Sequence, residues 1–178
     1  MRIGITGHRG LSGEVERKIR AFIEETVAAY GANTGTGNGN GTGTGTGTGP
    51  GNTGLVGVSC LADGPDAWFA EAVLDHTGQL EVVLPAERYR ADLPAWYHPA
   101  YDDLLRRATE IHRTGLDASG PEAHMAGSEL LVDQVDILLA VWDGQPARGY
   151  GGTADVVTYA REHDVPVKVL WPEGATRD

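Results

Sequence analysis

The chain has 178 residues and a formal net charge of −11, from 25 acidic and 14 basic residues. Nucleic-acid binding rests on Lys and Arg neutralising phosphates, and no basic cluster interrupts the acidic surplus, so nucleic acid is disfavoured as a partner. The lone Cys60 excludes an internal disulfide, and no apolar run nears the ~18 residues of a membrane span; a soluble, cytoplasmic protein without membrane association is expected.

Arg2–Thr6 (RIGIT) is a short β-branched run ending at Gly7 and reads as a first strand. Ser12 is placed to cap the helix that follows, where Val15, Ile19, Phe22, Ile23 and Val27 recur at helical spacing up to Tyr30. Residues 31–54 stand apart. They hold eleven Gly, seven Thr, four Asn, one Ala and one Pro, with no charge. Such a low-complexity stretch cannot bury enough surface to offset its ordering entropy and is expected to be a flexible insert. Without it 154 residues remain. A domain of that size buries about 70% of its unfolded surface, enough for one core, so 1–178 is expected to be a single domain.

Leu55–Ser59 (LVGVS) reads as a strand buried on both faces, followed by the turn Leu61–Asp66 and a helix over Ala67–Leu74. Leu80–Leu84 is a third strand, stopped by Pro85. Residues 86–96 lack a period and read as a loop, and Tyr97–His112 as a helix with a polar linker behind it. A helix over Glu122–Val135, a strand over Ile137–Trp142, a glycine-rich loop to Gly152, a helix over Thr153–Glu162 and a strand over Val165–Trp171 complete the chain. Strands alternating with helices imply an α/β fold, a doubly wound and mostly parallel sheet of about five strands flanked by helices. In the order 3-2-1-4-5, the turns after strands one, two and four gather at the carboxyl edge, where such sheets bind ligands.

Three turns carry the candidate site. In Gly151-Gly152-Thr153 the glycines allow close backbone approach, the first helical amides are unpaired donors, and the helix dipole favours an anion. In Gly7-His8-Arg9, Arg9 can hold a phosphate or carboxylate bidentately, and His8 can donate a hydrogen bond or transfer a proton. In Asp63-Gly64-Pro65-Asp66, one aspartate is expected to cap the helix and the other to accept hydrogen bonds from a ribose or base. The six histidines show no i, i+4 pair and no Cys partner in spacing, so no metal is expected, and no cofactor either. Trp68, Trp96, Trp142 and Trp171 read as core or interface residues.

Taken together, ITGHRGL, SCLADGPD, LVDQVDILLAVWDG and GGTADVVTYA resemble the SLOG superfamily, which joins Rossmann-like proteins similar to DprA and to the LOG phosphoribohydrolases. The resemblance covers the chain outside residues 31–54. It implies a Rossmann-like fold that binds a nucleotide or nucleotide-derived ligand in a sensing or regulatory role, or alternatively hydrolyses the N-glycosidic bond of nucleoside monophosphates. It also implies pairing, so a homodimer is anticipated. In LOG enzymes the motif P-G-G-x-G-T-x-x-E ends on a catalytic Glu; here Val156 stands at that position. The neighbouring Asp155 is rotated by about 100° on a helix, and Glu129 is a further carboxylate from another element. Asp155 and Glu129 are the candidate catalytic residues.

Overall fold

The structure is a computed structural model and describes residues 1–34 and 54–177. Of the insert expected over residues 31–54, residues 35–53 lie outside the described residues. Strand β1 (Arg2–Gly7) leads to α1 (Gly13–Thr34), and β2 (Val56–Ser59) to α2 (Pro65–Asp75). Next come β3 (Gln79–Leu84), a one-turn α3 (Tyr89–Asp92), a 3-10 turn (Ala95–Tyr97) and α4 (His98–Arg107). The chain continues through β4 (Glu110–Arg113), α5 (Pro121–Val132), β5 (Ile137–Val141), α6 (Thr153–Glu162) and β6 (Val167–Val169).

All six strands are parallel, in the order β4-β3-β2-β1-β5-β6. The expected sheet is therefore present, with one strand added outside β3. The helix expected over Tyr97–His112 overlaps β4, because Tyr101, Leu104, Leu105, Ala108 and Ile111 continue a helical period. The helix instead stops at Arg107, and Ala108 turns extended with ψ 139. Thr109 then hydrogen-bonds Leu80 O through both its amide and its hydroxyl, which starts the edge strand. At the other end of the chain, α1 runs to Thr34, four residues past Tyr30. Gly31 is buried there, and the Thr34 hydroxyl donates to its carbonyl.

Alternate residues of the central strands face opposite helical layers, as the strand period of two demands. Ile3, Ile5, Leu139 and Val141 pack with Ile19, Ile23 and Val27 of α1 and with Phe69 and Val73 of α2. Val58, Val83 and Leu138 face the other way, against Leu131 and Val132 of α5 and Val156 and Ala160 of α6. Burying each of these large side chains contributes about 2 kcal/mol, and trimming one such as Leu139 to Ala costs about 3 kcal/mol. A third cluster, Leu80, Val82 and Leu84 with Tyr97, Tyr101 and Leu104, fastens α4 beside β3. Together these clusters hold the carboxyl ends of β1, β2 and β5 side by side, and the site is built there. Among the described residues no helix is long and apolar enough to cross a membrane.

Candidate functional site

Gly7 closes β1 against β5. A side-chain carbon there would lie 2.8 Å from Val141 and 3.1 Å from Pro65, so only glycine lets the two turns meet. The His8 amide then bonds Val141 O at 3.0 Å and turns the imidazole inward, where it is 7% exposed. Nδ1 lies 2.8 Å from Arg177 Nη1 and 3.3 Å from Thr153 Oγ1. The Nε2 edge faces Asp143, with Oδ1 at 3.0 Å and the Asp143 amide at 3.2 Å. Burial holds the His8 pKa below its ordinary value, and the charge of Arg177 adds to this against the pull of Asp143. His8 is thus a neutral connector between three segments. Proton transfer, the other role open to it, has to compete with that post.

Arg9 points outward and pairs with Asp63, which settles one of the two aspartates. Neither caps α2: the cap position is Gly64, and no side chain bonds the first amides. Asp66 sits inside the first turn, 7% exposed, with Oδ2 accepting the Ala62 amide at 3.3 Å. Burial pushes its carboxyl up to about 7, outweighing the Ala62 amide and the charge of Arg9, which pull the other way. Burial likewise pushes the Cys60 thiol well up, which disfavours the thiolate.

Gly151 has φ 81, and a side-chain carbon there would lie 2.9 Å from Pro121 O, so the turn before α6 requires glycine. Its amide is bonded to Asp155 Oδ2 at 2.9 Å, and the Gly152 amide to Gly149 O at 3.2 Å. Those two donors therefore serve the turn itself. The amides of Thr153 and Ala154 have no acceptor among the described residues, and Thr153 is on the wall of the cavity described next.

These turns surround a cavity of about 300 Å³. Gly7, His8, Arg9, Asp66, Gly151, Gly152 and Thr153 all reach its wall. Asp63 and Gly64 instead line an adjoining groove with Trp68 and Trp96, so the Arg9–Asp63 pair is the partition between the two. Trp96 is 75% exposed, unlike a core residue. Neither expected catalytic carboxylate is on the cavity wall. Asp155 is engaged with the Gly151 amide, and Glu129 lies near Tyr159 on the flank of α5 and α6. Val156, at the position of the LOG glutamate, is core at 1% exposure. Of the loop after β3, Tyr89 lines the cavity, while Arg88 and Arg90 turn away to Asp117 and Asp102.

Three contributors were not anticipated. Asp143 and Arg148 come from the glycine-rich loop after β5, and Arg177 from the segment after β6. Asp143 had a readable signal, since it directly follows an apolar strand at the switch point. Arg177 had none. It reaches the site because the Trp171 indole donates to Ala175 O at 3.1 Å and the Ala175 amide to Pro172 O, folding the segment back over β1.

No family model matches the chain, and no curated protein does. Solved structures do. In fold, the chain is similar to DNA processing protein A. DprA from Helicobacter pylori superposes with a TM-score of 0.64 at 15% identity, over 100% of this chain and 68% of that one. DprA from Streptococcus pneumoniae gives 0.60 at 14% identity, over 94% of this chain and 49% of that one. The Rossmann-like, DprA-like fold implied by the SLOG resemblance is thus present. One expectation needs correcting. The Helicobacter protein is described for its single-stranded DNA binding mode, so nucleic acid is not disfavoured for this fold. A net charge of −11 sums the whole surface, whereas Arg9, Arg148 and Arg177 line one cavity.

Proposed function

We propose that the cavity holds the phosphate of a nucleotide, presented by a single DNA strand or as a free nucleotide. The observation that carries this reading is the gathering of Arg9, Arg148 and Arg177 with the first amides of α6 around one cavity of an acidic chain. Guanidinium forks and helix N-termini are matched to phosphate oxygens. The Helicobacter neighbour supports the strand as source, and the acidic surface supports the smaller ligand. With Val156 in the core and Asp155 committed to its own turn, recognition in a sensing or regulatory role is the reading favoured over turnover.

Titration with oligo-dT by fluorescence anisotropy and with dTMP and AMP by calorimetry tests this. Saturable binding that weakens as salt rises is expected in at least one arm, and the arm that responds identifies the source. Absence of binding in both arms at millimolar ligand removes the proposal.

Asp66 favours a second reading, N-glycoside hydrolysis. A carboxyl that keeps its proton to about pH 7 on a cavity wall can protonate a departing base. Release of free base from a bound nucleoside monophosphate, abolished in Asp66→Asn with binding retained, is the expected result. A wild-type protein that binds the nucleotide and releases no base eliminates this reading.

A further inference from the structure

Beside the cavity, and walled off from it by the Arg9–Asp63 pair, lies a groove of about 310 Å³ near the amino ends of α1 and α2. Where the cavity presents Arg9, Arg148 and Arg177, the groove presents Glu16, Asp63 and Glu71 beside the indoles of Trp68 and Trp96. One of the two indoles is already in use. The Arg20 guanidinium lies over the Trp68 ring, 4.3 Å from its centroid, and its Nε donates to Glu16 Oε1 at 2.8 Å. An aromatic face below and a carboxylate at the edge make up a guanidinium site. Trp96 has no such cover. It is 75% exposed, and among the described residues no cation lies over its ring. Glu71, on the same wall, is also unclaimed. Arg20 pairs with Glu16 and Arg107 with Asp103, so both reach Glu71 through charge alone. Burial, with the charge of Asp75, still pushes its carboxyl up.

The groove continues along the seam between the two helices. Arg20, Trp68 and Glu71 are shared there with a second hollow that adds Glu24 and Asp75. Glu71 and Asp75 stand one turn apart on α2, and Glu16, Arg20 and Glu24 one turn apart on α1, so charges recur at about 6 Å along the seam. Together the two hollows present five acids and one arginine. That sign repels a phosphate backbone and attracts a chain of cations. A lone small cation would use one position, whereas acids one turn apart match cationic side chains in series. Tryptophan and arginine are also among the residues that dominate binding energy at protein interfaces.

We propose that this groove docks an arginine-bearing segment of a partner protein, with one guanidinium on the Trp96 face and further cations on Glu71 and Asp75 along the seam. The proposal is independent of what the cavity binds.

The test uses the full chain and a fluorescein-labelled tetra-arginine peptide with blocked ends, followed by anisotropy. Saturable binding is expected, about tenfold tighter than that of tetra-citrulline, which keeps the shape and loses the charge. It should be about threefold tighter than that of tetra-lysine, which keeps the charge and loses the plane. Trp96→Ala should weaken the arginine peptide about tenfold and Glu71→Gln about threefold. Both side chains are exposed, so neither change threatens the fold. Glu162→Gln, on α6 in the opposite helical layer, should leave binding unchanged. Absence of binding at millimolar peptide overturns the proposal, as does binding that Trp96→Ala leaves intact. A loss in Glu162→Gln equal to that in Glu71→Gln reduces the binding to general attraction by an acidic chain and overturns it too. Equal binding of the lysine and arginine peptides overturns the choice of arginine. Oligo-dT, the probe of the cavity, should bind wild type and Trp96→Ala alike. If Trp96→Ala instead weakens oligo-dT and spares the peptide, the groove is a platform for bases and the proposal falls.

Discussion

Toward the amino ends of the strands, Arg2 reaches across β2 and clasps Glu81 with two hydrogen bonds of 3.0 and 2.6 Å, while its Nε donates to Gln134 O. Toward the carboxyl ends, Arg177 gives one donor to His8 and leaves Nε unmatched. The acids differ in the same sense. Glu81 is 6% exposed and Asp66 7%, yet the Arg2 hydrogen bonds hold the Glu81 carboxyl below its ordinary value and burial pushes Asp66 up to about 7. The opposite shifts follow from partners and depth together: Arg2 and His112 hold the Glu81 carboxylate, whereas Asp66 is desolvated with little to offset it. The first cluster closes on itself and adds stability. The second is left open beside a cavity. Glu81, Glu110 and His112 place ligand atoms within 4.8 Å of one another, but Arg2 and His112 already occupy the Glu81 oxygens.

The largest expected effect separates the two acids by pH. A folded-state pKa raised to about 7 means that Asp66 weighs against folding progressively as pH climbs from its ordinary 3.8 toward 7. Asp66→Asn should therefore gain about 4 kcal/mol on the wild type between pH 4 and pH 8 in urea unfolding; a difference that does not vary with pH contradicts the assignment. Glu81 has the reverse sign. Its stabilisation is present above the ordinary carboxylate range and fades as pH falls through the lowered value, so Glu81→Gln should cost about 2 kcal/mol at pH 7 and little at pH 3. Nucleotide affinity should be untouched by it. The smallest effect sharpens the contrast from the other side. Arg9→Gln should weaken binding of a phosphorylated probe about tenfold. It should shift stability by less than about 0.5 kcal/mol, since Arg9 is half exposed. A large melting shift would place Arg9 with the structural cluster instead.

Five of the six strands were legible because they are apolar runs bounded by Gly, Pro or Asp, and their order followed from alternation with helices. β4 was not legible. It is an edge strand of Glu, Ile, His and Arg whose single apolar residue, Ile111, is 38% exposed, so burial imposes no strand period on it. The turns of the site were readable from glycine and charge, but their wiring was not. That Asp63 takes the ion pair with Arg9 while Asp66 is buried behind it is an outcome of packing over distances no local pattern encodes. Arg177 and His8 lie 169 positions apart, and the metal-capable trio is assembled by pairing between β3 and β4.

Trp142 and Trp171 have indole N–H groups spoken for by the two segments that frame the cavity, Gln145 O at 2.8 Å and Ala175 O at 3.1 Å. Indole emission responds to the loss of such a bond and to nearby charge. The two indoles are a built-in optical gauge: titrating the proposed nucleotide ligand is expected to change their emission, without any attached dye.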